Sequence, residues 1–325
     1  MPTYAGVDLG ATHVRAVVGD ESGRVIASRR SETPQGPNGI AVTEAVLETL
    51  RGACTEAGIE PPSVRAVGVG SIGPLDLAEG AIDHPANLPD TIDRIPLTGP
   101  IGELVDSENV YLHNDTTAGV IGERYYSERN PDDMIYLTIS SGIGAGVCVD
   151  GNVVGGWDGN AGEVGHTVVD PNGLMTCGCG IDGHWEAYCS GNNIYRYARR
   201  LHDEDPVDTS LPMESPELDS ATVFEHAKEG DEFAVYVVEQ VTQWNCIAFA
   251  NMIHSFAPLV IYVGGAVALN NPDWVLEPVR EELDDIVFGN VPDVQLTNLG
   301  DDVVVKGALA SAITDGTGDR SRAPT

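Results

Sequence analysis

The chain has 325 residues, 42% of them hydrophobic, and 50 acidic against 17 basic side chains give a formal charge of −33. The apolar share excludes a disordered acidic chain, and the length suits one large domain or two of ordinary size. The charge disfavours double-stranded nucleic acid and anionic membranes as partners, and the longest nearly apolar stretch, residues 257–269, is shorter than the roughly 18 residues of a spanning helix.

Residues 4–10 (YAGVDLG) read as a buried strand closed by a glycine turn. Residues 13–19 form a second strand, Asp20 to Gly23 a hairpin turn, and 24–30 a third strand. Apolar residues at helical spacing over 40–57 predict a helix that Gly58 stops. A strand at 64–69, a short one at 109–113 and a helix over 116–126 follow. The opening pattern then recurs: strand 134–139, a turn at 140–144, strand 145–149 and an Asp150-Gly151 hairpin turn. Either two unrelated hairpins look alike, or the core is duplicated into two similar α/β lobes that face one cleft. Downstream, 203–220 is an acidic, proline-rich surface loop, 221–254 is mainly helical, and 259–263 is a buried strand ending at Gly264-Gly265. Residues 274–287 and 303–313 read as helices, and the polar tail 315–325 is expected to fray. The expected division is a small lobe over 1–114, a large lobe over 115–302, and a C-terminal helix and tail over 303–325 packing back on the small lobe.

No G-x-x-x-x-G-K-[ST] loop is present. Residues 68–73 match G-x-G-x-x-G, but Pro74-Leu75-Asp76 follows where a dinucleotide site needs a helix. The better phosphate candidates are Asp8-Leu9-Gly10-Ala11-Thr12 and Ser141-Gly142-Ile143-Gly144. Small residues there let backbone N–H groups approach phosphate oxygens, Thr12 and Ser141 add hydroxyls, and Asp8 suits Mg²⁺. Alone, each is only a hairpin turn; as a facing pair, with Gly264 and Gly265 available to a nucleoside, they favour a nucleotide.

His113-Asn114-Asp115-Thr116-Thr117 ends a strand and opens a helix. Locally, Asn114 or Asp115 reads as the helix N-cap. The functional alternative makes Asp115 the base for a substrate hydroxyl; an ordinary aspartate is a weak base, which suffices when phosphoryl transfer runs ahead of proton transfer.

The strongest local signal is Gly162-Glu163-Val164-Gly165-His166 followed by Cys177-Gly178-Cys179-Gly180-Ile181-Asp182-Gly183-His184-Trp185-Glu186. His166, Cys177, Cys179 and His184 lie within 19 residues and make an S₂N₂ set suited to tetrahedral Zn²⁺. Four protein ligands leave no open position, so the ion is structural. The knot would stiffen a segment carrying Glu163 and Glu186, whose carboxylates can accept bonds from a polyol. The ordinary alternative is loop histidines and solvated glutamates. Cys54, Cys148, Cys189 and Cys246 are scattered and read as small core residues.

Together, DLGATHVRA, HPANLPD, HNDTTAGVIGE, SSGIGAG, GEVGH, CGCGIDGHWE and YVGGAV resemble the ROK family of sugar kinases and repressors, over nearly the whole chain. The resemblance implies a two-lobed, actin-like (RNase H-like) ATPase fold with a duplicated core. It implies ATP phosphates at Gly10, Thr12, Ser141 and Gly142 with Asp8 near Mg²⁺, a sugar against Asn87, Asn114, Asp115, Glu163, His166 and Glu186, and Asp115 as catalytic base. The implied activity is ATP-dependent phosphorylation of a hexose, glucose first, with fructose, mannose or N-acetylmannosamine as alternatives. Dimerisation and a cytoplasmic location are further expectations; no leader is read at the N-terminus. Three departures from the family stand out: His184 where a third Cys is usual, Ala11 and His13 where Gly and Lys are common, and Ser140-Ser141 in place of the usual Gly-Thr or Thr. A sugar-sensing regulator of the same family is the competing class, against which stand Asp115, the unfavourable charge, and a first strand starting by Tyr4 that leaves no room for a DNA-binding segment.

The basic residues are 15 Arg and only Lys228 and Lys306. An acidic surface with so little Lys is expected of a protein adapted to high salt, where at about 1 M the Debye length is near 3 Å and self-repulsion is screened.

Overall fold

The computed structural model describes residues 2–85 and 87–323, so Ala86 of the HPANLPD segment, Met1 and the last two residues of the tail lie outside the described residues. The chain opens with β1 (Thr3–Leu9), β2 (His13–Asp20), β3 (Val25–Glu32) and α1 (Gly39–Ala57). Next come β4 (Val64–Ser71), the short β5 (Leu75–Asp76), β6 (Ala81–Asp83) and β7 (Arg94–Pro96), α2 (Thr98–Val105), β8 (Val110–Asn114) and α3 (Asp115–Tyr126). The second half contains β9 (Met134–Ile139), β10 (Ile143–Val149), β11 (Asn152–Val153), α4 (Glu186–Cys189), α5 (Ile194–Glu204), α6 (Ser220–Glu229) and α7 (Glu232–Phe256). It closes with β12 (Val260–Gly264), α8 (Ala266–Asn270), α9 (Pro272–Val275), α10 (Glu277–Ile286), β13 (Asp293–Leu296) and α11 (Val303–Ile313).

Two five-stranded sheets share one strand order. The first runs β3-β2-β1-β4-β8 and the second β11-β10-β9-β12-β13, so each places its strands third, second, first, fourth, fifth. In the first sheet β1, β2 and β3 pair antiparallel, while β4 and β8 join parallel. The repeated strand, glycine turn and acidic hairpin therefore mark a true duplication of topology. A small third sheet, β5-β6-β7, has strands of two or three residues, too short to carry a legible alternation.

The chain divides into two compact units, one of residues 1–136, 146–162 and 298–325, the other of 137–145 and 163–297. In the first unit, alternate residues of β1 feed two cores. Ala5, Val7 and Leu9 pack with Val42, Val46 and Leu50 of α1, and Tyr4 packs with Ile121 of α3 and Leu309 of α11. Gly68 and Gly70 of the 68–73 motif serve the packing of α3 and α11 on β4. A Cβ on Gly68 would fall on the Ala308 carbonyl oxygen, and one on Gly307 would fall on that of Ala118. That motif thus lets a helix approach a sheet.

The tail, expected to fray, is pinned through Ala323. Fully buried Arg124 donates to the Gly151 and Thr317 carbonyls at 2.9 and 3.0 Å and pairs with Asp132. Tyr111 donates to Asp315 at 2.9 Å, and Arg320 to the Glu128 carbonyl at 3.0 Å. These partners lie about 190–200 residues away in the chain, so local composition carried no sign of them.

Candidate active site and metal centre

In the first unit, Asp8, the last residue but one of β1, lies directly across from Arg15 of β2. Arg15 Nε and Nη2 donate to Asp8 Oδ2 at 3.0 and 2.8 Å, and Arg15 also reaches Asp302 and the Asp301 carbonyl beside the start of α11. Burial pushes the Asp8 carboxyl up, and the Arg15 guanidinium draws it part of the way back. Sequence reading passed over Arg15, although counting the register across a two-strand hairpin from Asp8 would have found it. Gly10 and Thr12 form the turn between these strands. Its carbonyl oxygens are all engaged: Gly10 by the Thr33 hydroxyl, Ala11 by Gln35, and Thr12 by the Thr33 N–H.

β8 delivers the next group. Asn114, at an extended ψ of 155°, caps α3: its Oδ1 accepts from the Thr116 N–H at 3.0 Å and the Thr116 hydroxyl at 2.9 Å. Asp115 is the first helical residue, half-buried, and its Oδ1 also accepts from the Thr116 N–H at 2.7 Å. The cap is therefore Asn114, and Asp115 stands on a helix start fixed by its neighbour. Behind them, His113 Nε2 lies 2.7 Å from Ser311 Oγ, and burial pushes this imidazole down to about 4, so it is neutral. Asn87 is exposed in a turn next to the undescribed Ala86.

In the second unit, the turn after β9 carries Ser141, exposed, and Gly142. Here too the carbonyls are tied back: Ser140 by the Gly191 N–H at 2.6 Å, Ser141 by the Asn192 N–H at 3.3 Å, and Gly142 by the Ser140 N–H at 2.9 Å. Both glycine turns thus have their negative dipole ends committed inside the protein. That suits an anion, which is repelled by carbonyl oxygens and attracted by N–H and hydroxyl groups. Gly264 ends β12, and Gly265, at φ +88°, packs on the Ile139 backbone ahead of α8.

The four candidate metal ligands converge. One donor atom each from His166, Cys177, Cys179 and His184 lies within 4.8 Å of the others. Cys177 Sγ is 3.6 Å from His166 Nδ1, and Cys179 Sγ is 3.2 Å from His184 Nδ1. Sulfur and nitrogen ligands on a tetrahedral zinc stand about 3.5 Å apart, so the donor set fits the ion. A tight turn builds the knot: the Gly180 N–H reaches the Cys177 carbonyl at 2.8 Å, and the Cys177 N–H reaches that of Ile181 at 3.0 Å. Burial pushes the Cys177 thiol up to about 11; a bound dication would reverse that preference and take the sulfur as thiolate. Asp170, which the sequence did not single out, anchors the preceding loop. It accepts from the Tyr188 hydroxyl at 2.6 Å and from the Asn172 and Leu174 N–H groups at 2.9 Å each. Glu163 lies 3.9 Å from His166 Nε2, and Glu186 is the first residue of α4, joined to the Ile143 N–H at 2.9 Å.

Comparison with known proteins matches residues 4–315 to the ROK family. A glucokinase of Pyrobaculum calidifontis is 34% identical over 312 residues, covering 96% of this chain and 95% of that one. Among solved structures, the ROK hexokinase from Thermus thermophilus is similar with a TM-score of 0.80 at 31% identity, over 95% of this chain and 97% of that one. A ROK family glucokinase from Streptomyces griseus, in complex with glucose and AMPPNP, gives 0.74 at 28% identity, over 95% and 99%. With these neighbours the actin-like fold class expected from sequence holds.

Proposed function

Because the chain belongs to the ROK family, we infer that it is an ATP-dependent hexokinase whose substrate is glucose. The carrying observation is identity to a glucokinase across nearly the full length of both chains. The residue roles below are proposals supported by local geometry.

Asp115 takes the proton of the attacking sugar hydroxyl at its carboxylate. Its helix start, held by the Asn114 side chain, fixes where that carboxylate points. A weakly basic carboxylate serves because the transferring phosphoryl group carries most of the charge change before the proton moves. Asn87, Asn114, Glu163, His166 and Glu186 pair with the other hydroxyls. An epimer would leave some of these acceptors unpaired, which is how such a pocket rejects it. Gly10, Thr12, Ser141 and Gly142 bind phosphate oxygens, with Gly264 and Gly265 left to the nucleoside. Mg²⁺, held near Asp8, supplies charge neutralisation on those oxygens when bound. Zn²⁺ fits His166, Cys177, Cys179 and His184 and supplies a fixed crosslink there. A homodimer working in the cytoplasm is the assembly and location we propose; among the described residues no helix is long and apolar enough to cross a membrane.

The test is ADP release measured against a panel of hexoses. Turnover is expected with glucose, and weaker turnover with mannose, fructose and N-acetylmannosamine. Tight sugar binding with no ADP formed from any of them would overturn the assignment in favour of a sensor.

A further inference from the structure

The metal quartet and the turn after β9 meet at one residue, Ile143. Its N–H donates to Glu186 Oε2 at 2.9 Å. Its carbonyl oxygen lies so close to Gly165 that a Cβ on that glycine would overlap it. Gly165 is the chain neighbour of His166, and the Cys177 sulfur lies 3.8 Å from Glu186 Oε1. His166 Nδ1 and Cys177 Sγ are themselves 3.6 Å apart, the spacing one ion would bridge. The path closes on itself, from Ile143 through Gly165, His166, Cys177 and Glu186 back to Ile143. Gly142 belongs to it as well, since a Cβ there would stand 2.8 Å from Glu186 Oε2.

We propose that this ring makes the metal a positioning element for the nucleotide: an ion on the quartet holds the turn from Ser141 to Gly144 in its phosphate-binding conformation, and Glu186 is the positioning residue that transmits the effect. The proposal rests on reading that turn as a phosphate site and the quartet as a zinc site. Its physical basis is that Ile143 is bonded at its N–H by one segment, 177–186, and packed at its carbonyl against the Gly165 backbone of another, 163–166, and that an ion on the quartet would crosslink the two segments. A phosphate-binding turn acts through the directions of its N–H groups, so a rotated Ile143 peptide plane redirects the donors on either side of it. Zinc and nucleotide should then strengthen each other's binding by one and the same factor, as linkage requires.

The experiment measures both halves of that cycle without sugar. Mg·ADP binding is followed by calorimetry on zinc-loaded and zinc-depleted protein, with far-UV circular dichroism on the same samples. Zinc release to a chromophoric chelator is followed with and without saturating Mg·ADP. The expected result is about tenfold tighter Mg·ADP binding with zinc, and zinc held about tenfold more tightly with Mg·ADP. In Glu186→Ala the coupling should fall below about twofold while zinc still binds, and Glu186→Gln should retain part of it, because the amide oxygen can still accept from the Ile143 N–H. Zinc release needs no depleted protein, so the proposal stays testable if depletion unfolds the chain. Release insensitive to Mg·ADP overturns the coupling alone. Full coupling in Glu186→Ala overturns the role of Glu186. Failure to retain zinc at all overturns the metal reading, and the proposal with it.

Discussion

Asp115→Asn separates the two roles that the strand–helix junction could play. The α3 cap is the Asn114 side chain, which takes both the N–H and the hydroxyl of Thr116. Asparagine at 115 keeps an oxygen for the same N–H, and the charge it loses at the helix start is worth about 0.3–1 kcal/mol. The melting temperature should therefore fall by no more than about 4 °C. If Asp115 is the base, the turnover number should drop by about 10²–10⁴, or roughly 2.7–5.5 kcal/mol on the barrier, several times the stability change. Asn114→Ala supplies the contrast. It removes the cap at a cost of about 0.5–2 kcal/mol and loosens the start of α3, so its melting temperature falls further than that of Asp115→Asn. Both variants are assayed for ADP release at saturating glucose and ATP, with thermal melts and glucose binding on the same preparations. A fully active Asp115→Asn, or one whose activity falls only in step with its unfolded fraction, would refute the assignment.

Asp231 caps α7 and accepts from the Ala234 and Ser210 N–H groups and from the Thr209 hydroxyl. Burial alone would raise its pKa, but these bonds outweigh it and hold the carboxyl at about 2. The unfolded chain, near 3.9, then binds a proton first, so this stabilisation is full at neutral pH and is lost as pH falls from about 4 through about 2. The gap in urea midpoint between the natural chain and Asp231→Asn should narrow between pH 6 and pH 3; a constant gap would refute this. Gly307→Ala should cost about 1–3 kcal/mol in a urea melt, because its Cβ meets the Ala118 backbone oxygen rather than a movable side chain. Arg15→Met strips the half-buried Asp8 of its guanidinium; it should lower stability by about 1–3 kcal/mol and raise KM for Mg·ATP while leaving KM for glucose unchanged, and Arg15→Lys should restore part of both. With a charge of −33, the melting temperature should climb from dilute buffer to molar KCl, and a salt-independent value would refute adaptation to high salt.

Elements that follow from local pattern were legible in the sequence. α11 spans the predicted 303–313, β9 the predicted 134–139, and α1 ends at Gly58. What was missed has a local reason. The sequence reading assigned no helix between 69 and 109, yet α2 starts at Thr98-Gly99-Pro100 because a helix tolerates proline in its first turn, where the N–H groups have no intrahelical acceptor. β13 has only four residues, Asp-Val-Gln-Leu, and exists because it pairs in parallel register with β12. The sequence showed twin glycine turns, but the matching strand order of the two sheets needed the structure, since register between distant strands leaves no mark in either strand alone.

The site divides along the same line. The candidate metal quartet could be read because its four residues fall within a short span, and residue type plus spacing is a local property. Glu186 could be picked out only as a carboxylate near that knot. Its bond to the Ile143 N–H joins residues 43 apart, and the donor is a backbone group that any side chain at 143 would leave in place. The glycines around it carry the trace that sequence does hold: Gly142 and Gly165 have no Cβ where Glu186 and the Ile143 carbonyl need the space. A glycine in a motif that looks like a phosphate signature can therefore be required by what lies behind the turn as well as by the anion in front of it. Gly142→Ala tests which demand dominates. If the carboxylate behind sets it, the flexible Glu186 side chain must shift and release the Ile143 N–H, so zinc and Mg·ADP binding should uncouple as they do in Glu186→Ala. If only the anion in front sets it, Mg·ADP binding weakens while its coupling to zinc persists.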